Sequence, residues 1–320
     1  MSSCARYDRA SEARLDEVEM ARARTLPPAG SFGAWLLATR PPTLTAAVVP
    51  VAIGTAVALR DGCREPLAAC AARLGAVALQ VGANFANDLS DFRRGADNES
   101  RLGPPRATQL GLLTQQQVMR GIVVAFLIAT IAGLYLVYVG GWPIIAIGLA
   151  SMLAAVTYTG GPWPFGYRGL GEVFVFIFFG VVAVAGTYYV QAGEVNGHIL
   201  GASVPVALTV TAILVVNNVR DLDTDRTAGK YTLAVYLGRR MARTEFVLVV
   251  IGAYVAAASL WLVGGFAPWV LLSWLSFPAA VVPLMAVLAH TDGPTLNRAL
   301  RSTARLHLLF GVLLAIGLAL

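Results

Sequence analysis

Charge is what this 320-residue sequence has least of. Asp, Glu, Lys and Arg together supply 13% of it, about half the share of an ordinary soluble domain. With 57% hydrophobic residues alongside, a disordered chain is ruled out and a water-soluble globule is disfavoured. The net charge of +6 is no nucleic-acid footprint, since that requires a basic patch on a polar surface, and no nucleic-acid partner is expected. Lysine is nearly missing: Lys230 stands alone beside 23 arginines. Cysteine is scarce as well. Cys4, Cys63 and Cys70 form no CxxC pair and cannot all be paired within the chain, so neither a disulfide framework nor a zinc site is suggested. Residues 1–30 carry charges throughout and have no apolar stretch, which argues against a cleaved signal peptide. Insertion into a membrane must therefore rest on the spans themselves.

Long apolar runs are what the sequence has in abundance. Nine approach or exceed the length needed to cross a bilayer, at about 42–59, 67–87, 118–138, 142–159, 171–191, 198–217, 246–264, 268–289 and a shorter 306–320. Brief connections alternate with longer polar ones at 88–117, 160–170, 218–245 and 290–305. The pattern predicts an all-α polytopic membrane bundle of about nine transmembrane helices with cytoplasmic helical cap loops. A cytosolic arm over 1–32, flexible or lying at the membrane surface, would precede a single transmembrane domain over 33–320.

Basic residues orient the bundle, because they are retained on the cytoplasmic side near span ends. The N-terminal segment holds six, the four long loops four, one, six and three; with Arg120 at a span start, one face has 21. The opposite face has Arg60, Arg64 and Arg73. The N-terminus and long loops are thus expected inside, in the cytoplasm, and the C-terminus outside.

Chemistry is expected where apolar spans run into acidic residues. If the second span continues as helix, Asn84, Asp88 and Asp91 fall four and three apart, on one face and within reach of a single ion. At the end of the sixth, Asp221 and Asp225 are again four apart. Carboxylates this close repel one another unless a cation lies between them. Hard oxygen ligands select magnesium, which completes its shell with water and phosphate oxygens. Two such helix ends facing each other describe a diphosphate site, with Arg94, Arg106, Arg226 and Lys230 to neutralise the remaining charge. A single pair could merely cap a helix or solvate a loop. Two pairs, each about one turn after an asparagine within an apolar span, point to function, because polar groups inside a bilayer are costly.

These residues resemble the UbiA-type intramembrane prenyltransferases, and among them the branch that acts on 1,4-dihydroxy-2-naphthoate in menaquinone synthesis. One signature is Asn84-Phe85-Ala86-Asn87-Asp88-Leu89-Ser90-Asp91, followed by Asp97 and by Arg101-Leu102-Gly103-Pro104-Pro105-Arg106. The other is Asn218-Val219-Arg220-Asp221-Leu222-Asp223-Thr224-Asp225-Arg226, with Gly229-Lys230 behind it. Arg40-Pro41-Pro42-Thr43-Leu44, Tyr158-Thr159-Gly160-Gly161-Pro162 and Gly169-Leu170-Gly171-Glu172 fit the naphthoate branch, as does Asp97, where hydroxybenzoate-type members have an acid at the position of Gly95. The likeness runs from about Arg40 to Gly238 and fades in the last three spans.

The resemblance implies magnesium-dependent transfer of a polyprenyl group from polyprenyl diphosphate to 1,4-dihydroxy-2-naphthoate, with decarboxylation, giving demethylmenaquinone. It implies metal binding by Asp88, Asp91, Asp97, Asp221 and Asp225, with Asp88, Asp91, Asp221 and Asp225 catalytic. Substrate would be held by Asn84, Asn87, Arg94, Arg106, Asn218, Arg226, Lys230 and Tyr158, with Arg40 or Arg168 toward the acceptor's carboxylate. The isoprenoid tail would pass through a lateral opening into membrane lipid. Homogentisate or 4-hydroxybenzoate is the alternative acceptor. A secondary transporter is a remote alternative from another class, disfavoured because both acidic groups lie at one face. A CDP-alcohol phosphotransferase would need glycine directly after its acidic pair, where Phe92 follows Asp91.

Overall fold

The structure, a computed structural model, describes residues 26–96, 101–104 and 106–320. Asp97 and most of the expected 1–32 arm lie outside the described residues. Ten helices account for the described chain: α1 Phe32–Thr39, α2 Thr45–Arg60, α3 Pro66–Arg93, α4 Gln115–Gly140, α5 Trp142–Thr157, α6 Gly171–Ala192, α7 Gly197–Thr227, α8 Leu233–Leu262, α9 Pro268–Ala289 and α10 Gly293–Ala319. Helices α2 to α10 correspond to the nine expected spans. Eight are long and apolar enough to cross a membrane, counting the turn Pro41–Leu44 with α2, and α5 is a shorter apolar helix of 16 residues. A helix satisfies its backbone hydrogen bonds internally, so an apolar chain in lipid has little else available to it.

Four helices overrun their expected limits at the same end of the bundle. Helix α3 continues past 87 to Arg93, α7 past 217 to Thr227, α8 starts at Leu233 rather than 246, and α10 at Gly293 rather than 306. Hydropathy falls at the polar residues, but in α3, α7 and α10 the backbone ladder runs on through them, whereas α8 is kinked at Gly238, where φ is 75°. Both acidic groups therefore ride on helical extensions, as their spacing required. Helix α10 opens at Asp292, whose side chain accepts the Thr295 amide at 2.8 Å. That bond holds the Asp292 carboxyl below its ordinary range.

Helix α7 is the most enclosed span, two-thirds buried over its membrane window, whereas α4 is 17% buried and turns Val123, Leu127, Ile131 and Leu134 outward. Lipid tails accept such side chains, so association of the helices rests on close packing of small residues. At Gly54 a Cβ would lie 2.5 Å from the Val184 carbonyl oxygen, and at Gly180 it would lie 2.1 Å from the Ala207 Cβ. Gly180 sits in a π-helical segment of α6, Phe176–Val182, pressed on α7. Gly180→Val is expected to force α6 from α7 at a cost of about 1–3 kcal/mol, measured as a fall in the thermal midpoint in detergent.

Arg40 ends α1 with φ 52°, the only non-glycine residue at positive φ among those described. This strained turn carries the chain through the short 3-10 turn Pro41–Leu44 into α2, while Trp35 holds α1 on Phe85 of α3, ring centroids 5.7 Å apart.

Candidate active site

Asp88 and Asp91 of the first acidic group lie on the α3 extension. Asp88 and Asp91 are buried, with 1% and 4% of their surface exposed. Asp91 receives the Tyr167 hydroxyl at 2.9 Å and an Arg106 N–H at 3.2 Å. The second group occupies the α7 extension. Arg220, 1% exposed, forks onto both carboxylate oxygens of Asp221, and Lys230 donates to Asp225 at 3.2 Å.

Tyr167 joins the two groups. Its hydroxyl is on Asp91, and its ring lies beneath the Lys230 ammonium at 5.6 Å. Lys230 in turn is on Asp225, so one aromatic ring and one ammonium separate the two carboxylates. Arg94 lies 5.6 Å from the same ring and donates to the Gly161 carbonyl. Burial alone would depress the Lys230 ammonium, but Asp225, Asp91 and Asp221 together outweigh it and raise it above its ordinary value. Lys230 is therefore a fixed positive charge at neutral pH.

Behind this junction a cavity of about 500 Å³ enters the bundle. Arg40, Asp91, Arg106, Tyr158, Asn217 and Lys230 line its polar end. Its wall then turns apolar, passing Phe174, Phe178 and Phe179 to Leu134, Ile145 and Leu149, and these last three are exposed on the side of the bundle. Charged groups at one end of an apolar channel that opens sideways suit a molecule with an anionic head and a hydrocarbon tail.

Residues 47–318 match the UbiA prenyltransferase family. The chain belongs to that family. As a UbiA member with nine apolar helices, it is a multi-pass membrane enzyme of the prenyltransferase class. The 1,4-dihydroxy-2-naphthoate octaprenyltransferase of Escherichia coli (strain K12) is 35% identical to it over 293 residues, covering 90% of this chain and 95% of the relative. The enzyme of the same name from Mycobacterium tuberculosis is 36% identical, covering 90% and 98%. Among solved structures, the apo UbiA homolog from Aeropyrum pernix K1 superposes with a TM-score of 0.67 at 16% identity, over 86% of this chain and 97% of that one. A UbiA homolog from Archaeoglobus fulgidus bound to GPP and Mg2+ gives 0.59 at 14% identity, over 88% and 99%. At these identities the structural matches speak for the fold.

The expected site residues of this UbiA enzyme do not all meet. Asp91, Arg106, Lys230, Asn84, Asn87 and Tyr158 line the cavity; Asp88, Asp221 and Asp225 are buried beside its polar end rather than on its wall. The Asn84 amide is committed to the Thr39 carbonyl at 2.9 Å and the Thr43 hydroxyl at 3.0 Å, so it braces the Arg40 turn. Asn87 accepts the Thr159 hydroxyl. Asn218 was expected at the substrate, but its amide turns away to Glu172 at 2.7 Å, and Asn217 takes the cavity position. Arg226 is exposed and off the cavity wall. Arg168, a candidate for the acceptor, is exposed and lies over the Trp163 ring at 5.0 Å, which leaves Arg40 as the one of the pair on the wall. Tyr167 and Arg220 were not assigned roles from sequence; only the adjacency of Arg220 to Asp221 signalled either.

Among the described residues no three His, Cys, Asp or Glu side chains close on one point. Such a site suits a cation completed by waters and phosphate oxygens better than one caged by protein alone. Four buried carboxylate oxygens have no hydrogen-bond donor among the described residues, Glu172 Oε2, Glu245 Oε2 and, within the two acidic groups, Asp88 Oδ1 and Asp225 Oδ2. Buried, unpartnered carboxylate oxygens are costly unless a cation answers them. The donor set thus fits a hard divalent ion.

Proposed function

We propose that this enzyme transfers a polyprenyl group from polyprenyl diphosphate to 1,4-dihydroxy-2-naphthoate, releasing diphosphate and the acceptor's carboxyl group as carbon dioxide, and so makes the quinol form of a demethylmenaquinone. The observation that carries the reading is the junction Asp91–Tyr167–Lys230–Asp225 at the polar end of a cavity that opens laterally. The acceptor follows from relatives of that name spanning nearly the whole chain.

Asp88, Asp91, Asp221 and Asp225 would hold magnesium, by analogy with the homolog bound to GPP and Mg2+; Asp97 would join them. Bound there, magnesium would neutralise diphosphate oxygens and improve the leaving group. Arg106 and Lys230 add positive charge within the pocket and Arg94 adds it at the rim. The allylic fragment left when the C–O bond breaks lies along Phe174, Phe178 and Phe179, whose ring faces favour a cation. The cavity's apolar wall excludes water, which would otherwise quench that cation. Past Leu134, Ile145 and Leu149 the tail continues into lipid. Arg40 holds the acceptor's carboxylate at the same end. By the 21-to-3 division of basic residues, this end faces the cytoplasm across the inner membrane.

Purified protein in detergent is expected to prenylate 1,4-dihydroxy-2-naphthoate and neither homogentisate nor 4-hydroxybenzoate. Turnover should stop in excess chelator and return with added magnesium. Transfer to a different acid in preference, or turnover in excess chelator, would contradict the reading.

A further inference from the structure

The family match extends through α10 to residue 318, beyond the Gly238 limit expected from the motifs, and one side chain of α10 reaches both halves of the site. Asn297 accepts an Arg220 N–H through Oδ1 at 2.9 Å and donates through Nδ2 to the Leu102 carbonyl at 2.7 Å. Leu102 belongs to the connection after the first acidic group; Arg220 is the residue that forks onto Asp221. The packing around this link is tight. A Cβ on Gly103 would lie 2.8 Å from an Arg220 nitrogen and 2.7 Å from one of Arg101, and one on Gly293 would lie 3.2 Å from Leu102. The same Arg220 also donates to Asn217 on the cavity wall at 2.8 Å.

We propose that Asn297 is a positioning residue that straps Leu102, in the first connection, to Arg220 of the second acidic group, and so fixes the aim of the Asp221 carboxylate. This rests on the prenyl-transfer reading for its catalytic consequence, though not for its structural one. An asparagine is suited to the task because it offers an acceptor and a donor on one short, neutral side chain. Arg220 is held in place to the extent that its nitrogens find partners, since an unanswered buried guanidinium is costly. Of the three N–H groups that Asp221 leaves over, Asn297 and Asn217 answer two, and Asn297 is the partner of the otherwise unbonded Nη1.

The test uses the full chain in lipid nanodiscs with two variants. Asn297→Leu removes both bonds; Asn297→Asp keeps an acceptor for Arg220 but cannot donate to Leu102. Tryptic cleavage after Arg101, followed by mass spectrometry without any ligand, is expected to run roughly tenfold faster in both variants, the consequence of losing one hydrogen bond near a charged group. The half-saturating magnesium concentration for prenyl transfer should rise by a similar factor, with KM for the aromatic acceptor unchanged. Should Asn297→Leu fail to fold, Asn297→Asp alone decides. Unchanged cleavage in the folded variants would overturn the strap. A uniform loss in which acceptor KM moves with magnesium would overturn the positioning role. Absence of prenyl transfer in the wild type would instead sink the functional reading, while the cleavage rates still judge the strap.

Discussion

Asp225→Asn is expected to lower prenyl transfer at least ~100-fold, the scale of removing a preorganised charge from a reacting centre, while leaving the thermal midpoint nearly unmoved. The substitution keeps volume and an acceptor oxygen for Lys230. The ammonium also retains Asp91 and Asp221 within electrostatic reach, so no buried charge is abandoned. What is lost is the anionic oxygen opposed by no donor, Oδ2, the atom best placed to hold a cation. Initial rates at saturating magnesium, beside a thermal melt of the same preparation, provide the check. Near-normal turnover would remove Asp225 from the site.

Arg220→Leu should act on stability instead. The guanidinium is buried, and deleting it leaves Asp221 enclosed beside hydrocarbon without its partner. Breaking a buried pair from one side costs about 3–5 kcal/mol, visible as a large fall in the thermal midpoint together with loss of activity. Arg220→Lys should not restore either, since a single ammonium cannot reproduce the fork onto two carboxylate oxygens or reach Asn217 and Asn297 as well. Combining Arg220→Leu with Asp221→Asn should recover part of the stability by removing the orphaned charge, and none of the activity. Equal stability in the single and double variants would show that the orphaned Asp221 charge is not the source of the loss, and an Arg220→Leu melt matching the wild type would show that the pair matters little to folding.

Much of this architecture was readable from the amino-acid order because lipid leaves a spanning chain few options. Nine apolar runs became nine helices, α2 to α10. Their ends were harder to read: hydropathy stops at 87 and 217, while α3 and α7 carry on to Arg93 and Thr227, since helical hydrogen bonding is indifferent to side-chain polarity. The spacing of Asp88 with Asp91 and of Asp221 with Asp225 contained that information, as each pair shares a face only on a helix. The meeting of the two pairs was legible as well, from loops assigned to one side by their arginines.

Side chains whose partners lie far along the chain were not legible. Tyr167 finds Asp91 across 76 residues and Asn297 finds Arg220 across 77, and neither carries a local pattern. The exchange of Asn218 for Asn217 has a similar cause. Both precede Asp221 by about one helical turn, and only Glu172 on α6 determines which amide is drawn away from the cavity.

Diffraction at the manganese absorption edge, from crystals grown with Mn2+ in place of magnesium and an unreactive prenyl thiolodiphosphate, would test the shared site most directly. The expected map has anomalous peaks between one diphosphate group and carboxylates of both α3 and α7, with the prenyl chain running past Phe178 toward Leu149. Metal and diphosphate held by one helix alone, with the other pair of aspartates out of reach, would contradict it.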